Sequence, residues 1–226
     1  QDPDGPISEV FALDRQEPMS EDCLNLNVFT PATGGGNRPV MVWLHGGGFS
    51  AGSSIEQVAY EGENMSKHGD VVVVSINHRL NVLGYLDLSP FGEKYANSAN
   101  AGSADMVAAL QWIHENIAAF GGDPEAITIM GQSAGAMSVQ QHCLSPLSEG
   151  LFRGAVMSSG GGVSSLMKTR PAESSFPFWK TVMEKAGCSS LSEFRELPAE
   201  KLFSAWEAAK KEGKGGALSC SPCIDG

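Results

Sequence analysis

The segment ITIMGQSAGA, residues 127–136, carries the residue types and spacing best suited to covalent chemistry. An apolar, β-branched run reaches Gly131-Gln132-Ser133-Ala134-Gly135, and a helix-like stretch, AMSVQQH, follows. A nucleophilic serine at such a junction has to sit on a sharp, strained turn so that its oxygen projects from the sheet. Glycines two residues to either side let strand and helix approach without a Cβ collision. The amide of Ala134 would then open a helix, where unpaired N–H groups and the helix dipole favour an anion. Glycine-x-serine-x-glycine is by itself a common turn composition; the strand before it and the helix after it are what make it a candidate nucleophile turn.

A second segment fits the same chemistry. WLHGGGFSAG, residues 43–52, follows an apolar run and contains Gly46, Gly47 and Gly48 in succession. Bare glycine amides can point at the oxygen that becomes negative when a serine attacks an ester, and one such donor is worth about 2.7–4 kcal/mol in the transition state. A glycine run can also be a simple flexible connector. Its position after a buried strand and upstream of the serine turn favours the oxyanion reading.

A serine nucleophile needs a base, and the base is hard to find. His142 is the one histidine after Ser133. It lies in the same predicted helix, about 13 Å farther along the axis, which is beyond hydrogen-bond reach. His45 is nearest the glycine run but reads as structural. His114 borders a helix stripe and reads as a surface residue. His68 and His78 also precede the serine.

The elements that must position these residues are legible in outline. Residues 24–30 alternate as a strand does, 40–44 read as a buried strand, and 71–76 form a continuous β-branched run suited to a central strand covered on both faces. Residues 127–130 and 154–158 read as two more strands. A long helix is expected over 103–120, with Met106, Leu110, Ile113 and Ile117 on one face. FGGDP then stops it with glycine and restarts the chain with Asp-Pro. Strands alternating with helices predict an α/β fold with a mainly parallel sheet and helices on both faces. Farther on, Phe176, Trp179, Val182, Met183 and Ala186 suggest an amphipathic helix, and Leu202 to Ala209 another. The last fifteen residues show no regular pattern.

Bulk properties bound the function. The 226 residues suffice for one sizeable α/β domain or two small ones. A formal net charge of −11 argues against nucleic acid and anionic membrane surfaces as partners. No apolar run approaches the roughly 18 residues of a membrane span. The first residues, QDPDGPISEV, have neither the basic start nor the apolar stretch of a signal peptide. Five cysteines are an odd number for a closed disulfide framework. Cys220 and Cys223 form a C-x-x-C, but no second pair accompanies them and their setting is loop-like, which argues against a redox pair or half a zinc site. Asn64-Met65-Ser66 fits a glycosylation sequon. The compartment, cytoplasmic or secreted, stays open.

On these motifs the sequence resembles the type-B carboxylesterase family, which includes bacterial para-nitrobenzyl esterases and cholinesterases and has the α/β-hydrolase fold. The matching segments are SEDCLNLNVFTP from Ser20, HGGGF from His45, INHRLNVLGYL from Ile76, the stretch from Asn97 through Pro124, ITIMGQSAGA, GLFRGAVMSSG from Gly150 and the closing CIDG. The resemblance implies that Ser133 is the nucleophile and that the amides of Gly47, Gly48 and Ala134 form an oxyanion hole. Gln132, His45 and Phe49 would adjoin the site, and Phe176 to Trp179 and the Gly160-Gly161-Gly162 turn are further candidates for its border. The implied reaction is hydrolysis of a small-molecule carboxylic ester through an acyl-enzyme, with no metal or organic cofactor.

There are three departures from the family pattern. Gln132 stands where the family usually has glutamate before the nucleophile. His78 stands where it usually has tyrosine, and reads as a structural substitution. Cys23 lacks the upstream cysteine that the family often pairs with it, so it is expected as a thiol. The family also places the acid and histidine far downstream of the serine, and places the segment containing Asp225 before the acid. Residues 1–226 are therefore expected to be part of a single α/β-hydrolase domain whose acid and histidine lie outside them. A second polypeptide from the same protein is expected to complete the sheet and the triad. The alternatives are a non-catalytic, esterase-like binding module and an inactive fragment. Retention of both Ser133 and the glycine run favours the enzyme.

Overall fold

A computed structural model describes residues 19–162, 170–171, 176–212 and 220–224. The chain divides into two compact units, Gln1–His78 with Ala104–Met167 and Arg79–Ser103 with Lys168–Gly226. Its helices are α1 (Glu63–Gly69), α2 (Asn81–Gly84), α3 (Ala101–Asn116), α4 (Ala134–Leu144), α5 (Phe176–Lys185), α6 (Leu191–Arg195) and α7 (Ala199–Lys211).

The first unit is built on a five-stranded sheet of β1 (Leu26–Phe29), β2 (Arg38–Leu44), β3 (Val72–Ile76), β4 (Gly122–Gln132) and β5 (Gly154–Ser158). The strand order is β1-β3-β2-β4-β5. β1 runs antiparallel to β3, and every other pairing is parallel. The sequence explains the order of burial. β3 is β-branched at four of its five positions and buried at all five, which requires cover on both faces. Val40, Val42 and Leu44 of β2, Ile127 and Ile129 of β4, and Val139 of α4 share one core cluster with Met106, Leu110, Ile113 and Ile117. The predicted helix stripe is therefore the seam that covers the sheet.

The strand bounds differ from expectation where the backbone does more than the apolar pattern. β4 begins at Gly122 instead of residue 127. α3 tightens into a 3-10 turn, Ile117–Phe120, and Gly121 at φ 82° reverses the chain directly into pairing with Arg38. Asp123-Pro124 thus lies inside the strand, and the register shifts between Arg38 and Val40 to accommodate it. β5 carries the expected residues and is the outermost strand of the sheet among the described residues, where Val156 and Met157 are each 47% exposed.

In the second unit, α5 buries Phe178, Trp179 and Val182, and Trp179 meets Phe194 of α6 edge-on at 5.6 Å. α7 buries Leu202, Ala205, Trp206 and Ala209. The stretch expected to lack regular structure contains a short strand, β7 (Cys223–Ile224), paired with β6 (Arg170–Pro171). It is held by side-chain bonds that no periodicity reveals. Asn100 accepts from the Cys223 amide at 3.0 Å and donates to the Cys223 carbonyl at 2.9 Å. Among the described residues no helix is long and apolar enough to cross a membrane.

Candidate active site

Ser133 sits between the last residue of β4 and the first of α4, at φ 56° and ψ −121°. A non-glycine residue rarely adopts this backbone, and it persists only where the surroundings fix it. They do so here. The Ser133 amide donates to the Ser158 carbonyl of β5 at 3.0 Å, and the Ser133 carbonyl accepts from Met137 at 3.1 Å. Ser133 is the N-cap residue of α4, yet its side chain makes no capping bond. The hydroxyl is thereby left for other chemistry.

The flanking glycines are required by contact. A methyl on Gly135 would run into the Leu44 carbonyl oxygen and come within 2.8 Å of the His45 carbonyl oxygen. A methyl on Gly131 would lie 2.5 Å from Gly135 backbone atoms and 2.9 Å from the Leu44 carbonyl oxygen. The helix start is pressed against the end of β2, and only glycine fits at both points.

That closeness brings the two sequence motifs together. β2 and β4 are paired neighbours in which Leu44 is opposite Gly131. Their C-terminal ends therefore deliver the glycine run and the serine side by side. A methyl on Gly46 would fall 3.4 Å from Ser133 Cβ and 3.1 Å from Gln132 Oε1. Gly47 and Gly48 have φ of 110° and 64°, followed by Phe49 at 60°. The Gly47 carbonyl accepts from Ser50 and Ala51, at 3.2 and 3.1 Å, which closes the loop into a tight turn. Gly48 is exposed, with nothing within 4 Å of its missing side chain, whereas Phe49 is buried.

His45 underpins this loop and is no free base. It is buried, its Nδ1 lies 2.8 Å from the Gly46 carbonyl oxygen, and its ring stacks on that of His78 at 4.9 Å and 11°. Burial above all, and then the charge of His78, bring its pKa down to about 3, with the Gly46 carbonyl partly opposing both. It is a neutral ring at neutral pH. With Nδ1 as the donor to the carbonyl, Nε2 is a bare acceptor, and it has no partner among the described residues.

His142 is also buried. It meets Ser148 Oγ at 2.9 Å through Nδ1, beyond the far end of α4 from Ser133. Burial, then the charge of His78, lowers its pKa to about 4. His114 is a half-exposed helix residue 3.8 Å from Glu125 Oε1. Phe178 and Trp179 are core residues of the second unit. All five cysteines are thiols, and no group of three or more His, Cys, Asp or Glu side chains could hold a metal ion among the described residues. Asp225 lies outside the described residues.

The sequence motifs did not indicate two contributors. Ser158 supplies the carbonyl that anchors the Ser133 amide, and only the parallel register of Gln132 opposite Ser158 reveals it. Gln140 reaches from α4 to the turn after β5, with its Oε1 accepting from the Gly162 amide at 2.7 Å.

Chemically, the arrangement presents a hydroxyl at a helix N-terminus beside a glycine loop. Such a geometry suits attack on an electrophilic carbonyl and stabilisation of the resulting oxyanion.

Comparison with known proteins adds an independent line. The model of a family described as the carboxylesterase family matches residues 3–226. The para-nitrobenzyl esterase of Bacillus subtilis (strain 168) is 42% identical over 187 residues, covering 83% of this chain and 37% of that protein. The cocaine esterase of Oryctolagus cuniculus is 50% identical over 144 residues, 63% of this chain and 26% of that protein. Among solved structures, an esterase from Clostridium hathewayi that can hydrolyse aliphatic aromatic polyesters superimposes with a TM-score of 0.84 at 46% identity, covering 93% of this chain and 42% of that one. A carboxylesterase from Geobacillus stearothermophilus gives 0.82 at 44% identity, covering 95% of this chain and 45% of that one. These structures share the α/β-hydrolase fold, and the chain spans less than half the length of each.

Proposed function

The chain belongs to the carboxylesterase family, and from that premise we propose that Ser133 is the nucleophile of an esterase acting on small carboxylic esters. Ser133 Oγ attacks the ester carbonyl carbon. The new C–O bond forms as the carbonyl electron pair moves onto oxygen, and the hydroxyl proton passes to a base. The amides of Gly47, Gly48 and Ala134 stabilise the oxyanion. Collapse expels the alcohol, which takes up the proton, and leaves an acyl-enzyme that water hydrolyses. The observation that carries this reading is the placement of Gly46 against Ser133 Cβ, with the serine held at φ 56° at the head of α4.

We place the triad acid and histidine outside residues 1–226, in the remainder of one α/β-hydrolase domain, on the same polypeptide or on a second one. His45 and His142 are each engaged elsewhere and held neutral by burial. The test is fluorophosphonate labelling of the full-length protein, read by peptide mass spectrometry, with hydrolysis of a short-chain activated ester in parallel. A label on Ser133 and turnover, both lost in Ser133→Ala, are the expected results. An unlabelled serine in a folded, full-length protein refutes the proposal and leaves a binding module of the same fold.

A further inference from the structure

Behind the nucleophile turn lies a contact that the esterase reading does not use. Gln140 is on α4, about two turns beyond Ser133. Its side-chain amide makes two bonds to a single residue. Oε1 accepts from the Gly162 N–H at 2.7 Å, and Nε2 donates to the Gly162 carbonyl at 3.3 Å. A primary amide supplies one acceptor and two donors in one plane, so it can satisfy both backbone groups of one residue at once.

The segment held in this way is the glycine turn that leaves β5. A methyl on Gly160 would collide with the Ser133 carbonyl oxygen and lie 2.9 Å from Ala136 Cβ. A methyl on Gly161 would lie 2.9 Å from Gln140 Oε1 and 3.2 Å from Met157 Sδ. Just before the turn, the Ser158 carbonyl takes the Ser133 N–H. Residues 158–162 thus run along the Ser133 backbone and then onto the outer part of α4. The turn touches the nucleophile at one end and Gln140 at the other.

Resting on the esterase reading above, we propose that Gln140 is a positioning residue for acylation, holding residues 158–162 against the backbone of Ser133 so that the serine keeps its strained conformation. Ser133 at φ 56° and ψ −121° is costly unless its surroundings over-determine it. The Ser158 carbonyl and the close approach of Gly160 are two of the constraints. Both belong to the turn that follows β5, the outermost strand of this sheet among the described residues. Gln140 closes the loop between that turn and the helix that Ser133 begins, so the strain is carried by a ring of bonded backbone.

The test uses the full-length protein and three readouts: the rate of Ser133 labelling by a fluorophosphonate, hydrogen exchange at the Gly162 amide, and the thermal midpoint. Gln140→Met keeps volume and helix propensity while removing both bonds. We expect it to melt near wild type, to lose protection at Gly162, and to label about fivefold more slowly, the rate equivalent of one net neutral hydrogen bond. Gln140→Glu keeps the acceptor for the Gly162 N–H and should fall between the two. Lost protection with an unchanged labelling rate overturns the proposal, as does slow labelling with Gly162 still protected. If Gln140→Met does not fold, a wild-type labelling rate in Gln140→Glu overturns it. A wild type that takes no label at all defeats the esterase reading and the positioning role together, whereas a labelled wild type with an unaffected Gln140→Met defeats the positioning role alone.

Discussion

At the scale of single residues, the proposed function gives Gln132 a part in what the site attracts. Its side-chain oxygen lies toward Gly46, next to Ser133. A glutamate there would place a full negative charge beside the reacting serine, whereas glutamine retains hydrogen bonding without the field. On the proposed function, the wild-type enzyme should show little preference for a choline-like ester over a neutral isostere. Gln132→Glu should shift the ratio of kcat/KM toward the cationic ester by about tenfold, as expected for one partly screened charge at close range. Matched pairs of esters measured on both variants check this, and an unchanged ratio rejects it. This departure was readable from one letter of sequence. The role of Ser158 was not, because it acts through its carbonyl, which every residue has.

Elements bring the site together, and their contacts leave little slack. Gly135 touches the end of β2 so closely that a single methyl strikes the Leu44 carbonyl. Gly135→Ala should therefore push α4 off the sheet and destabilise the protein by about 1–3 kcal/mol or more. Chemical denaturation of wild type and variant measures it, and a difference below about 0.5 kcal/mol would contradict the contact. The element map itself was largely legible. Continuous β-branched runs located β3, and the spacing of Met106, Leu110, Ile113 and Ile117 located α3 and its buried face. Boundaries were less legible where backbone geometry overrides composition. Gly121 turns the chain into β4 ahead of an Asp-Pro that reads as a loop. The β6–β7 pair depends on the Asn100 amide, far away in sequence, and leaves no local trace.

At the scale of the whole molecule, the buried histidines make folding sensitive to acid. His45 and His142 have folded pKa values of about 3 and 4, below the ordinary 6.5. At these two sites the unfolded chain binds protons that the folded one refuses, so their contribution to stability is full above pH 6.5. It falls as pH drops from there toward about 4 and 3, at about 1.4 kcal/mol per unit of lowering for each group. Denaturation midpoints should therefore decline steadily between pH 6.5 and 4. His142→Gln should make the decline shallower, and an identical slope would show that His142 does not contribute. Composition had indicated an acidic surface of net charge −11, but not this inner sensitivity. A histidine's burial depends on its neighbours in space, here the His45–His78 stack and Ser148.

The pairing of Leu44 with Gly131 has one more consequence. The glycine loop and the serine turn both start from adjacent rungs of a single hydrogen-bonded ladder, so their alignment has one common origin. A slip of one residue between β2 and β4 would offset the two ends by about 3.3 Å and turn each side chain to the opposite face. Lengthening the connections elsewhere in the sheet leaves that origin untouched. Loops distant from this edge are thus free to change size without redrawing the relation between hydroxyl and amides.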